Sequence, residues 1–240
     1  MAPLIDRPSP NFDTRAAGQP IDILLLHYTG METGEAALSR MCDPAAKVSA
    51  HYCIDEDGNC TRLVDEAHRA WHAGVSAWAG ESDINSRSIG IELVNPGHEF
   101  GYRPFPEPQM LSLIGLAGDI LSRHPIPPAR VLGHADVAPL RKEDPGELFD
   151  WARLAAAGIG LWPGTPASIT PPPIVEVQEM LRRYGYAAPQ TGVLDEETKG
   201  VVVAFQRHFR PGKVSGELDG ETVGRLQALL TLVDGGAARA

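Results

Sequence analysis

The run Ile21-Asp22-Ile23-Leu24-Leu25-Leu26 is almost continuously apolar and ends abruptly at His27-Tyr28-Thr29-Gly30. A strand with one wet face alternates apolar and polar residues, whereas a run that is apolar at successive positions needs cover on both faces. Such a strand calls for layers on either side of a sheet, and His27 stands at its exit. A second strand is expected over Ser88–Val94, where Ile89, Ile91 and Leu93 share one face and Gly90, Glu92 and Val94 the other. Glu92 is then a lone carboxylate on a mostly apolar strand, costly to bury unless it is paired or used.

The third marked stretch, Val131–Pro145, places His134 at the end of an apolar run and sets Lys142 and Asp144 two residues apart between Pro139 and Pro145. Proline keeps the segment out of a helix interior. If it is extended, Lys142 and Asp144 point the same way. A histidine, a carboxylate and a lysine meeting beyond a strand end suit a metal site with an adjacent cation.

Around these stretches the pattern predicts a helix over Gly34–Met41 and a hairpin with strands Ser49–Ile54 and Thr61–Val64 about an Asp55–Gly58 turn. A longer helix is expected over Pro108–Arg123, where apolar residues recur at helical spacing. The last strand falls at Ala129–Leu132 and one more short helix between Phe149 and Trp162. Residues 1–20, with Pro8, Pro10 and Pro20, read as an irregular arm.

The proline-dense stretch 164–173 reads as a semi-rigid linker between a domain of residues 21–163 and a second one of residues 174–232, followed by a tail of residues 233–240. In the second domain the phrase Leu194-Asp195-Glu196-Glu197-Thr198-Lys199-Gly200 is echoed by Leu218-Asp219-Gly220-Glu221-Thr222-Val223-Gly224. Asp195 and Asp219 are placed as helix N-caps, and three short helices around one core, with Phe205, Phe209, Leu226 and Leu229 inside, make a small bundle.

A formal net charge of -10 leaves no basic stripe to meet phosphates, which argues against a nucleic-acid partner. No apolar run is long enough for a transmembrane helix. The N-terminus carries acids and prolines where a secretory signal needs a basic start and an apolar core, so a cytoplasmic protein is expected, the alternative being a periplasmic or secreted one whose signal has been removed. Cys42, Cys53 and Cys60 are odd in number and lack C-x-x-C spacing; free thiols are expected, a Cys42–Cys53 bridge being the alternative.

His27 in H-Y-T, Ser49-Ala50-His51-Tyr52, Ala70-Trp71-His72-Ala73-Gly74, Ile89-Gly90-Ile91-Glu92, Gly133-His134-Ala135-Asp136-Val137-Ala138-Pro139 and Lys142-Glu143-Asp144-Pro145-Gly146 together resemble the zinc-dependent N-acetylmuramoyl-L-alanine amidases, which share their fold with peptidoglycan recognition proteins. The resemblance covers about residues 20–163, and residues 174–232 resemble a three-helix peptidoglycan-binding domain. It implies an α/β fold with a mixed central sheet flanked by helices, plus the helical bundle. It further implies one Zn²⁺ held by His27, His134 and Asp144, with Glu92 as general base and Lys142 as the cation facing the oxyanion. The substrate would be peptidoglycan or a muropeptide, cut between N-acetylmuramic acid, or its anhydro form, and L-alanine.

Each residue also has a plainer reading. Asp144 could start a turn, Lys142 could be solvated beside Arg141, and Glu92 could pair with Arg87. Trp71 and His72 could line the muropeptide groove or pack in the core, and His51 could support the site or pack in the hairpin. His68, His98, His124 and His208 carry no metal-ligand argument. A muropeptide sensor on the same fold would be expected to lack a metal ligand, and none is missing here.

Overall fold

The computed structural model describes residues 4–237; residues 1–3 of the expected arm and 238–240 of the expected tail lie outside them. The apolar run forms strand β3 (Ile23–Tyr28), next to the edge strand of a six-stranded mixed sheet. Numbered along the chain, the sheet also contains β1 (Ile5–Asp6), β4 (Tyr52–Ile54), β5 (Cys60–Arg62), β7 (Ser88–Leu93) and β8 (Val131–Gly133), in the order β1-β5-β4-β7-β3-β8. β4 and β5 are the expected hairpin, closed by Asp55 N–H donating to Asn59 O and Gly58 N–H to Asp55 O.

β3 is covered on both faces, as its composition requires. Leu24 and Leu26 join Ile89, Ile91 and Leu93 beneath helix α4 (Glu107–Arg123), which contributes Met110, Leu113, Ala117 and Ile120. Ile23 and Leu25 face the other way, onto Trp78, Ile84 and Leu132. Helix α1 (Gly34–Cys42) closes a smaller cluster with Ala50, Cys53, Leu63 and Val94. Its first turn is capped by the Thr33 hydroxyl, which accepts from Ala36 N–H. The three cysteines are free thiols, Cys53 and Cys60 buried.

The arm is more ordered than its prolines suggest. β1 pairs in parallel with β5, and β2 (Phe12–Thr14) pairs antiparallel with β6 (His68–Ala70). Beyond β2, the Arg15 guanidinium donates to the carbonyls of Glu66, Asn85, Ser86 and Ser88, tying arm to domain. Burial lowers its pKa to about 10.

The larger difference lies in the C-terminal helices α7 (Ile174–Tyr184), α8 (Glu196–Phe209) and α9 (Gly220–Ala237), the last of which runs on into the expected tail as far as Ala237. Asp195 and Asp219 do cap α8 and α9, accepting from Thr198 and Thr222 N–H. The core of the bundle, however, is continuous with that of the sheet domain. Val177, Leu181, Phe205, Phe209, Leu226 and Leu229 belong to one cluster with Ile23, Leu25, Trp78 and Leu132 of the sheet domain. Trp78 meets Tyr184 and Tyr186 edge-on, and Ala79 N–H donates to Gly185 O. A bundle of about 60 residues is marginal on the surface that it buries alone, and docking on the sheet's second face adds apolar burial.

The proline-rich stretch is correspondingly not a free spacer. Ile169 N–H donates to Gly220 O, and Arg225 donates to Gly164 O. The repeat's glycines mark these close approaches: a Cβ on Gly200 would lie 2.2 Å from Leu140 Cδ2, and one on Gly224 2.7 Å from Ala167 O.

Because the core is shared, the full chain is expected to unfold in one cooperative calorimetric transition. Trp78→Ala should lower its stability by about 3–5 kcal/mol without splitting that transition. Two separate transitions in the wild type would contradict the shared core.

Candidate metal centre and cleft

Strand register assembles the site. In the parallel pair β3·β7, His27 lies opposite Glu92, and on the far side of β3 Leu26 lies opposite Gly133, the residue before His134. His27 continues the face of Ile23 and Leu25, so it projects on the same side as Glu92. His134 opens a single helical turn, α5 (His134–Val137), that stops short of Pro139. The chain from Ala138 to Lys142 is then a turn, with Arg141 and Lys142 N–H both donating to Ala138 O. Lys142 and Asp144 do face one cleft, brought there by this turn and not by an extended segment.

His27, His134 and Asp144 are all buried. His27 Nδ1 lies 3.0 Å from His134 Nδ1 and 3.0 Å from Asp144 Oδ2, and His134 Nδ1 lies 3.1 Å from that same oxygen. The far nitrogen of His134, Nε2, is 3.0 Å from Ala73 O. A carbonyl only accepts, so His134 carries its proton there and turns a lone pair inward. Three donor atoms about 3 Å apart match the edges of a tetrahedral site with bonds of about 2.0–2.2 Å, which are about 3.3 Å long. The donor set thus fits a divalent cation bound by three protein atoms.

Charge agrees with geometry. Burial, with His134 nearby, lowers the His27 pKa to about 4. Burial alone would raise the Asp144 carboxyl, but the two imidazoles outweigh it and hold it well below its usual range. Glu92 goes the other way: burial, with Asp144 adding to it, raises its carboxyl well above the ordinary value, and Lys142 partly offsets this. Glu92 Oε2 is shielded from solvent and has no hydrogen-bond partner among the described residues. Arg87 does not pair with it, being held by Asp22 and Glu81. Lys142 has no ion-pair partner among the described residues and, with Glu92 and the three cluster residues, lines a cleft of about 420 Å³.

A family model for N-acetylmuramoyl-L-alanine amidase matches residues 17–147, and one for a peptidoglycan-binding domain matches residues 170–226. The chain belongs to the N-acetylmuramoyl-L-alanine amidase family. The amidase is 38% identical to N-acetylmuramoyl-L-alanine amidase AmiD of Escherichia coli over 95% of its own length and 90% of that protein. The 1,6-anhydro-N-acetylmuramyl-L-alanine amidase AmpD of Haemophilus influenzae is 36% identical over 62% of the chain and 89% of that relative. Among solved structures, AmiD in complex with anhydro-N-acetylmuramic acid-L-Ala-D-gamma-Glu-L-Lys superposes with TM-score 0.80 at 39% identity, covering 90% of this chain and 91% of AmiD. AmpDh3 of Pseudomonas aeruginosa gives TM-score 0.80 at 35% identity, covering 91% and 95%.

Trp71, His51 and His72, for which both groove and packing roles were open, sit elsewhere or behind the cleft. Trp71 turns to the arm, its indole N–H donating to Asp13 Oδ2, because β2 and β6 pair there. His51 is fully buried, its Nδ1 accepting from Gly90 N–H, and burial lowers its pKa to about 3. His72 reaches the cleft only from its back wall, 3.1 Å from His27 Nε2. Conversely, His98 lines the cleft, beside Tyr28 and Glu147, though its sequence context gave no signal. Asp136 accepts from Gly133 N–H and Tyr186 O–H and contacts His208 Nδ1, while Arg207 pairs with Glu143. Both contacts join the bundle to the segment carrying His134, Lys142 and Asp144. Only the tertiary fold reveals them.

The depressed pKa of His27 has a direction of effect on stability. In the metal-free protein the unfolded chain takes up a proton near the ordinary value of 6.5, the folded chain only near 4. Stability is therefore lost as pH falls between these values, by about 3 kcal/mol for this group. The Asp144 contribution is lost lower still, below the usual carboxylate range. Denaturant unfolding of the metal-free protein from pH 7 to 4 should show this decline, and a flat profile would contradict it.

Proposed function

We propose that the amidase uses one zinc ion, held by His27, His134 and Asp144, to hydrolyse the amide joining the lactyl group of N-acetylmuramic acid, or its anhydro form, to L-alanine of the stem peptide. The observation that carries this reading is the convergence of three buried donor atoms beside a carboxyl with an unpartnered oxygen. A mixed nitrogen and oxygen donor set with one open position suits zinc. When bound, zinc polarises a carbonyl and lowers the pKa of water to about 7.

The remaining work falls to this chain's side chains. Glu92, opposite His27 in the sheet register, takes the proton of the attacking water. Glu92 then passes that proton to the leaving α-amine of L-alanine. The Lys142 ammonium, which has no ion-pair partner among the described residues, faces the negative charge that develops on the carbonyl oxygen. Asp144, kept ionised, balances the positive charge gathered at the site.

The substrate identity rests on the family and on the AmiD complex with an anhydromuramyl peptide. A sensor lacking catalysis would have no use for a complete donor set together with Glu92 and Lys142.

Elemental analysis of the wild type should give about one zinc per chain, and mass spectrometry should detect free stem peptide beginning at L-alanine. Glu92→Gln should keep the zinc and lose turnover by about 10²–10⁴-fold. Lys142→Ala should lose about 10²–10³-fold with zinc retained, and His134→Ala should lose both. Turnover unchanged in Glu92→Gln would overturn the assignment.

A further inference from the structure

Behind His27 runs a line of hydrogen bonds whose direction is set at its far end. The Ser88 hydroxyl lies 2.7 Å from the carbonyl of Ile84. Since a carbonyl only accepts, the single hydroxyl proton is committed there, and Ser88 Oγ is left to accept from His72 Nε2, 3.3 Å away. His72 therefore carries its proton on Nε2 and a lone pair on Nδ1. That lone pair faces His27 Nε2 at 3.1 Å and accepts its proton. His27 is left with a bare Nδ1 aimed at His134 and Asp144.

The surroundings are built to hold this arrangement. The Asn85 side-chain oxygen accepts from the backbone N–H of both His72 and Ala73, at 3.1 and 2.8 Å. The His72 ring stands edge-on to His27 at 5.2 Å and to His51 at 5.6 Å. It occupies the space over Gly90, where a Cβ would come within 2.6 Å of the ring. Any side chain on the central strand at this point would push the ring off its partners.

We propose that His72 and Ser88 are positioning residues that fix the tautomer of His27, so that Nδ1 is free to bind a cation. The inference rests on the reading of His27 as a ligand. Its physical content is a competition for one proton. In the absence of metal, Asp144 Oδ2 at 3.0 Å invites a proton on His27 Nδ1, which would block the ligand atom. Moving the proton there requires His72 to donate from Nδ1 and Ser88 to turn its hydroxyl to His72 Nε2, stranding the Ile84 carbonyl without that bond. The relay thereby opposes the blocked form. His134 needs no such relay, because Ala73 O fixes its tautomer in one step.

The test uses ¹⁵N-labelled full-length protein freed of metal, with long-range ¹H–¹⁵N correlation to read imidazole tautomers, and zinc affinity measured by competition with a chelator. In the wild type, His27 and His72 should both carry the proton on Nε2. Ser88→Ala, which removes a single oxygen, should shift His72 towards the Nδ1–H form and weaken zinc binding by about 10–100-fold. Ser88→Thr, which keeps the hydroxyl, should restore both. Nδ1–H on His72 in the wild type, or unchanged zinc affinity in Ser88→Ala, would overturn the relay. A wild type that binds no zinc would instead count against the proposed metal site, while the wild-type tautomers still decide the relay.

Discussion

A carboxylate buried between two imidazoles is the constraint on which the rest of the site depends. Asp144 cannot remain ionised in a water-poor pocket without positive charge nearby, and the inward nitrogens of His27 and His134, about 3 Å apart, present two lone pairs that repel each other until a cation lies between them. Burial and charge together make the cluster one that could hold a cation. The neighbouring carboxyl, Glu92, experiences the opposite consequence of the same burial. It resists ionisation.

Holding three donors to a common centre demands a rigid frame, and the frame comes from strand register. Parallel pairing fixes His27 beside Glu92, and β8 delivers His134 one residue past its last pairing with β3. The loop carrying Lys142 and Asp144 has no strand to hold it. It is braced by the C-terminal helices, through Asp136 with Tyr186 and His208, through Glu143 with Arg207, and through Leu140 over Gly200. Family resemblance assigns those helices to peptidoglycan binding; their packing makes them also one wall of the catalytic domain.

Much of this was legible in the sequence because it depends on short-range pattern. The unbroken apolar run of β3, the alternation of β7 that isolates Glu92, the hairpin turn and the two aspartate caps are all local statements, and each formed as expected. For Trp71 and His51 the sequence left groove and packing roles open, because aromatic and imidazole side chains serve equally in either, and which one they enter depends on partners far along the chain. Trp71 is claimed by Asp13 of β2, a residue 58 positions away. The arm's strands were hidden by prolines that fall between its pairing residues.

The sequence by itself determined which residues could do chemistry and the layered α/β class that carries them, because residue type and hydrophobic period are written one position at a time. Tertiary structure alone decided which histidine nitrogen faces the metal position, that the helical bundle shares the sheet's core, and that Arg207 and Asp136 brace the loop bearing Lys142 and Asp144. Those outcomes depend on contacts between segments distant in sequence, and their energy comes from burial and hydrogen-bond direction, which exist only once the chain has closed on itself.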